Sequence, residues 1–70
     1  MPKPGDRIEL EFTNDEWTNL KPGDQGVVTH IREAGDITQY SVRWDNGSSL
    51  MMVPGTGDRF KVVESAQTED

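Results

Sequence analysis

The chain has no cysteine and one histidine, His30, in 70 residues. Disulfides and thiolate metal sites are therefore excluded, and a His-rich zinc centre lacks its ligands. No cofactor or metal site is expected. Long apolar runs are missing too: nothing approaches the length that crosses a bilayer, and the start, Met1-Pro2-Lys3-Pro4-Gly5, lacks the apolar core of a signal peptide. The expectation is a soluble, cytoplasmic protein with no membrane partner. Helix-forming stretches are absent as well, because Pro or Gly interrupts every candidate. Cations are scarce: 7 Lys and Arg stand against 13 Asp and Glu, for a net charge of −6. Nucleic-acid binders usually carry a basic patch or a pI above about 9, so this balance disfavours tight binding to phosphate backbones. It is also the balance that high salt favours, since net charge bears on solubility.

What is present is punctuation. Gly-Asp occurs at Gly5-Asp6, Gly23-Asp24, Gly35-Asp36 and Gly57-Asp58, each time just before alternating apolar residues, and Asp45-Asn46-Gly47 precedes a fifth run. Glycine reaches backbone angles that other residues avoid, and Asp bonds to its own local backbone, so each copy reads as a turn. Period-2 alternation then predicts five strands, near 7–12, 26–32, 38–44, 48–53 and 59–63. Ile8, Leu10, Phe12, Tyr40, Val42, Trp44, Phe60 and Val62 are expected inside. Val28 and Ile31 break strict alternation, which predicts a bulge in the second strand. Asn46-Gly47 predicts a tight hairpin. The shared start of Gly5-Asp6-Arg7 and Gly57-Asp58-Arg59 suits first and last strands that pair with each other. The expected architecture is all-β: one small five-stranded SH3-like barrel over residues 1–63, with an acidic flexible tail over 64–70.

Four motifs in order carry a family resemblance. They are Pro4-Gly5-Asp6-Arg7-Ile8-Glu9-Leu10, Lys21-Pro22-Gly23-Asp24-Gln25-Gly26-Val27-Val28, Trp44-Asp45-Asn46-Gly47-Ser48-Ser49-Leu50 and Pro54-Gly55 with Asp58-Arg59-Phe60. Together they look like an uncharacterised family of prokaryotic and phage proteins of about this length, marked by a central Asp-Asn-Gly. That resemblance brings no activity and no catalytic residue. More loosely, the order of elements is similar to SH3-like barrels. These include KOW-type domains of ribosomal and transcription proteins and small barrels attached to electron-transfer complexes, which implies docking onto a larger partner.

Chemistry is hard to place. The Gly-Asp carboxylates are explained as turn residues, and no spacing brings two of them to one cleft as acid–base catalysis requires. Gly55-Thr56-Gly57 lacks the Gly-Lys-Ser/Thr element of a phosphate loop. His30 has no Cys or second His beside it, and serines 41, 48 and 49 have no identifiable base. An enzyme is not expected. The aromatic and methionine residues say more. Trp17 lies in a polar loop of about a dozen residues, beside Asp15 and Glu16, where it either folds back to cap the small barrel or presents a binding surface, and loops of that length are often functional. Met51 and Met52 are adjacent, so on an extended chain one must face outward, and methionine adapts to varied partners. Trp17, Met51 or Met52, and Pro54 are thus expected to form an apolar patch, extended by Tyr40 and rimmed by Asp15 and Glu16. That composition is similar to peptide-binding SH3 domains and favours a basic or proline-containing ligand. The expected role is a monomeric protein-interaction module. The alternative is a KOW-like RNA- or ribosome-associated domain using Lys21, Arg32 and Arg43, with Arg7, Arg59 and Lys61.

Overall fold

Four of the five alternating runs become strands. The computed structural model describes residues 2–13 and 18–65. Its elements are β1 (Arg7–Phe12), β2 (Gln25–Ala34), β3 (Ile37–Trp44) and β4 (Arg59–Glu64), with one 3-10 turn at Pro54–Thr56. All pairing is antiparallel, in the order β3-β2-β1-β4, so the first and last strands are neighbours. The sheet does not close into a barrel through hydrogen bonds: β3 and β4 are its two edges. It is nonetheless strongly coiled. Flat, β3 and β4 would lie three strand spacings apart, about 14 Å. Instead the rings of Tyr40 (β3) and Phe60 (β4) meet edge to face, with centroids 5.2 Å apart.

The turns that launch β1 and β2 are the same tetrapeptide. Lys3-Pro4-Gly5-Asp6 and Lys21-Pro22-Gly23-Asp24 each close with an Asp N–H to Lys carbonyl bond of 3.0 Å. Proline presets the second position, and glycine takes the left-handed third one, with φ of 96° at Gly5 and 101° at Gly23. In both, the Asp carboxylate then accepts the Lys backbone N–H at 2.9 Å. A variant of this device recurs at the far end of the chain. The Asp58 carboxylate reaches back across Pro54–Gly57 to accept the Val53 N–H at 3.1 Å. The acids of these turns are architectural.

Behind the sheet lies one core of Ile8, Leu10, Leu20, Val28, Tyr40, Val42, Trp44 and Met52, with Ile31, Leu50 and Phe60 packed against it. Leu20 comes from the connection between β1 and β2. The bulge expected in β2 is present: the register with β3 shifts between Val28 and His30, leaving Thr29 as the extra residue. Gly26 pairs with Ile8 on one side and Trp44 on the other. A Cβ there would meet the Arg43 carbonyl oxygen at 2.7 Å and the Trp44 Cα at 2.8 Å. Close approach of β2 and β3 is what requires glycine at this point.

Several expectations are corrected. First, 48–53 is not a strand; it meets β3 only at Met52, which exchanges two 2.9 Å backbone bonds with Tyr40. The reason is competition from side chains. The Ser48 N–H goes to Asn46 Oδ1 at 2.9 Å, and the Leu50 carbonyl accepts the Trp44 indole N–H at 2.8 Å. The preceding reversal is also not the tight Asn-Gly hairpin, since Asn46 has no positive φ and Gly47 alone is left-handed, at 87°. Second, Phe12 is half exposed (50%). A register shift between Leu10 and Phe12 inserts Glu11 and turns the phenyl ring off the core face. Third, Val62 is 39% exposed although it pairs with buried Ile8. It belongs to an edge strand, and no closed barrel wall covers it. The acidic tail lies outside the described residues from 66 onward.

Candidate functional site

Where the two edge strands approach, the core opens into a groove of about 400 Å³. Tyr40 and Phe60 line it, flanked by Pro2 and by Pro54 of the 3-10 turn. Glu11 and Arg59 stand at its polar margin. The edge-to-face ring pair contributes about 0.5–1.5 kcal/mol beyond the area it buries, so this apolar lining is held in place rather than loosely packed.

Asp58 fixes the geometry of one side. Its carboxylate is buried, accepting the Thr13 hydroxyl at 3.0 Å through Oδ1 and the Val53 N–H at 3.1 Å through Oδ2. The Gly57 N–H in turn bonds the Pro54 carbonyl at 3.0 Å. These contacts tie the Pro54 turn to the end of β1, and thereby set where Pro54 meets the groove. Asp58 acts here as a strut.

The structure brings together two of the residues anticipated from sequence, Tyr40 and Pro54. The adjacent methionines divide as alternation requires: Met52 is fully buried in the core and Met51 is 39% exposed. Met52 therefore serves packing, and Met51 is not part of the groove's described lining. Asp15, Glu16 and Trp17 lie outside the described residues. Pro2, Glu11, Asp58 and Phe60 are lining residues that the sequence reading did not anticipate, and Arg59, anticipated there only for a nucleic-acid surface, also lines the groove. Phe60 was legible as apolar, but its role depends on the curl that carries β4 to β3, which no local pattern encodes.

No cluster of three or more His, Cys, Asp or Glu side chains suited to a metal occurs among the described residues. Two of the cations considered for a nucleic-acid surface are engaged with carboxylates. Arg7 Nη1 lies 2.8 Å from Asp45 Oδ2, and Lys61 Nζ lies 3.9 Å from Glu9 Oε2. No described helix is long and apolar enough to cross a membrane.

Fold and groove together define a small antiparallel β domain with an apolar, proline-flanked cleft at the meeting of its sheet edges. Over residues 2–63 the chain matches the model of a family described as a domain of unknown function, DUF4314, and it belongs to that family. No curated protein and no solved structure matches it.

Proposed function

We propose that this domain is a non-enzymatic protein-interaction module, an SH3-like barrel in minimal form, that binds an extended, proline-containing, basic segment of a partner. The observation that carries the reading is the groove in which Tyr40 and Phe60 meet between Pro2 and Pro54. Aromatic-lined grooves suit polyproline II ligands, because a preformed extended helix loses little entropy on docking. Glu11 at the margin and the net charge of −6 favour a ligand bearing Lys or Arg. The barrel reading is supported by the path of the chain. The Met52 bridge extends the sheet beyond β3, the 3-10 turn follows it, and β4 then returns beside β1.

The test is an amide chemical-shift titration with three synthetic peptides: one proline-rich with Arg and Lys, one proline-rich with Asp and Glu, and one basic without proline. Shifts clustered on Glu11, Tyr40, Phe60 and the Pro54 turn, produced by the first peptide and weakened several-fold by Glu11→Lys, are the expected result. No perturbation by any peptide, or shifts spread over the opposite face of the sheet, would reject the groove as the binding site.

A further inference from the structure

The reversal after β3 places the parts of a self-modification reaction together at an exposed corner. Asn46 is exposed, and its side-chain Oδ1 accepts the Ser48 N–H at 2.9 Å. Gly47 follows with φ of 87°, and the space a Cβ would occupy there is empty of protein atoms within 4 Å. No packed neighbour thus crowds Gly47 beside a carboxamide whose oxygen is already held by a backbone donor, while the Gly47 N–H itself bonds the Trp44 carbonyl.

We propose that Asn46-Gly47 is a site of spontaneous deamidation that proceeds in the folded protein. The Gly47 N–H must first leave its 3.0 Å bond to the Trp44 carbonyl and give its proton to solvent base. The nitrogen then attacks Asn46 Cγ and forms a C–N bond, closing a five-membered succinimide. Negative charge develops on Oδ1, where the Ser48 N–H stabilises it as an oxyanion-hole donor does. The Cγ–Nδ2 bond breaks, and the nitrogen departs as ammonia after taking a proton from water. A second water opens the ring at either carbonyl, leaving aspartate or isoaspartate at position 46. The net change is amide plus water to carboxylate plus ammonium, with no change of oxidation state.

The product adds a negative charge beside Asp45, the partner of Arg7. The isoaspartate form also inserts one carbon into the reversal that links Trp44 to its acceptor at Leu50. An exposed corner would thereby report to a buried indole.

The experiment incubates the folded protein in mildly alkaline buffer and follows tryptic peptides by mass spectrometry, with an isoaspartyl methyl-acceptor assay as the second readout. The peptide from Trp44 to Arg59 contains Asn46 alone among asparagines, and exposed Asn19, followed by Leu20, is the internal control. Conversion at Asn46 is expected to outpace Asn19 and to run within about tenfold of the urea-unfolded chain. A reaction needing prior unfolding would instead be slowed by the unfolded fraction, on the order of a thousandfold or more. Ser48→Pro, which removes the N–H donor, should slow conversion in the folded state only. A thousandfold suppression by folding, or parity between Asn46 and Asn19, overturns the proposal. If Ser48→Pro fails to fold, the folded-to-unfolded rate ratio of the wild-type chain decides alone.

Discussion

At the scale of single residues, Gly26 carries a tight steric constraint. Three atoms lie within 2.8 Å of where its Cβ would be, two of them backbone atoms of β3. Backbone in a paired strand cannot rotate away as a side chain can, so relief requires β2 and β3 to separate. Overpacking a core typically costs 1–3 kcal/mol, and Gly26→Ala belongs at the upper end, about 3 kcal/mol. For a domain of this size that lowers the melting temperature by more than about 10 °C. Gly55→Ala, where nothing lies within 4 Å of the added methyl, is the matched control, expected to stay within about 0.5 kcal/mol. Thermal melts of the two variants side by side check it; equal melting temperatures would mean the sheet relaxes around the methyl. The sequence marked Gly26 only as the first residue of the second strand. Its reason is a neighbour 18 positions away, Trp44, which periodicity does not reveal. Met51 and Met52 show the opposite case, since adjacency alone dictates that they face different ways.

Among the elements, segment 48–53 is the instructive one. It is as apolar as β4, with Leu50, Met51, Met52 and Val53 among its six residues, yet it makes a single bridge to β3. Strand patterns describe which faces are apolar; they do not register side chains that take the backbone groups a ladder would use. Trp44 is the main competitor, through its 2.8 Å bond to the Leu50 carbonyl. Trp44→Phe keeps an aromatic ring in the core but leaves that carbonyl without its donor, which costs about 1–3 kcal/mol, and the lost ring volume adds to it. A total of about 2–4 kcal/mol is expected in denaturant melts. The more specific signature is local. Hydrogen exchange at the Met52 amide, which bonds the Tyr40 carbonyl, should accelerate more than exchange at the β1–β2 ladder. Uniform acceleration would mean that Trp44 stabilises only the global fold. The turns before β1 and β2 were legible from Pro-Gly-Asp because their bonding is local. The inward faces of Phe12 and Val62 were misjudged because a bulge and an uncovered edge are properties of the assembled sheet. Pro54 and Tyr40 could be named from sequence, whereas Phe60, their partner across the groove, depended on closure of the two ends.

For the whole molecule, charge decides how stability responds to the medium. The chain carries −6, and the ion pairs among its described residues are sparse and solvent-exposed. Exposed pairs of this kind contribute about 0–1 kcal/mol each, whereas excess like charge opposes the compact state throughout. The β4 edge illustrates the balance: Lys61 and a bulge at Val63 guard it against pairing with another chain, but three of its four described apolar and acidic end residues, Val62, Val63 and Glu64, remain exposed. Raising sodium chloride from about 0.1 M to 1 M shortens the screening length from about 10 Å to about 3 Å. Repulsion between separated carboxylates is then lost before the 2.8 Å contact of Arg7 with Asp45 is. The melting temperature should therefore rise with salt, by an amount corresponding to about 1 kcal/mol, or ~4–8 °C. Exposed Glu33, at the end of β2, offers the control. Glu33→Lys removes two units of excess negative charge, so it should raise the low-salt melting temperature and flatten the salt response together. A melting temperature that falls as salt is added would mean that the ion pairs outweigh the repulsion, and that the acidity of this chain serves its partner rather than its own solvation.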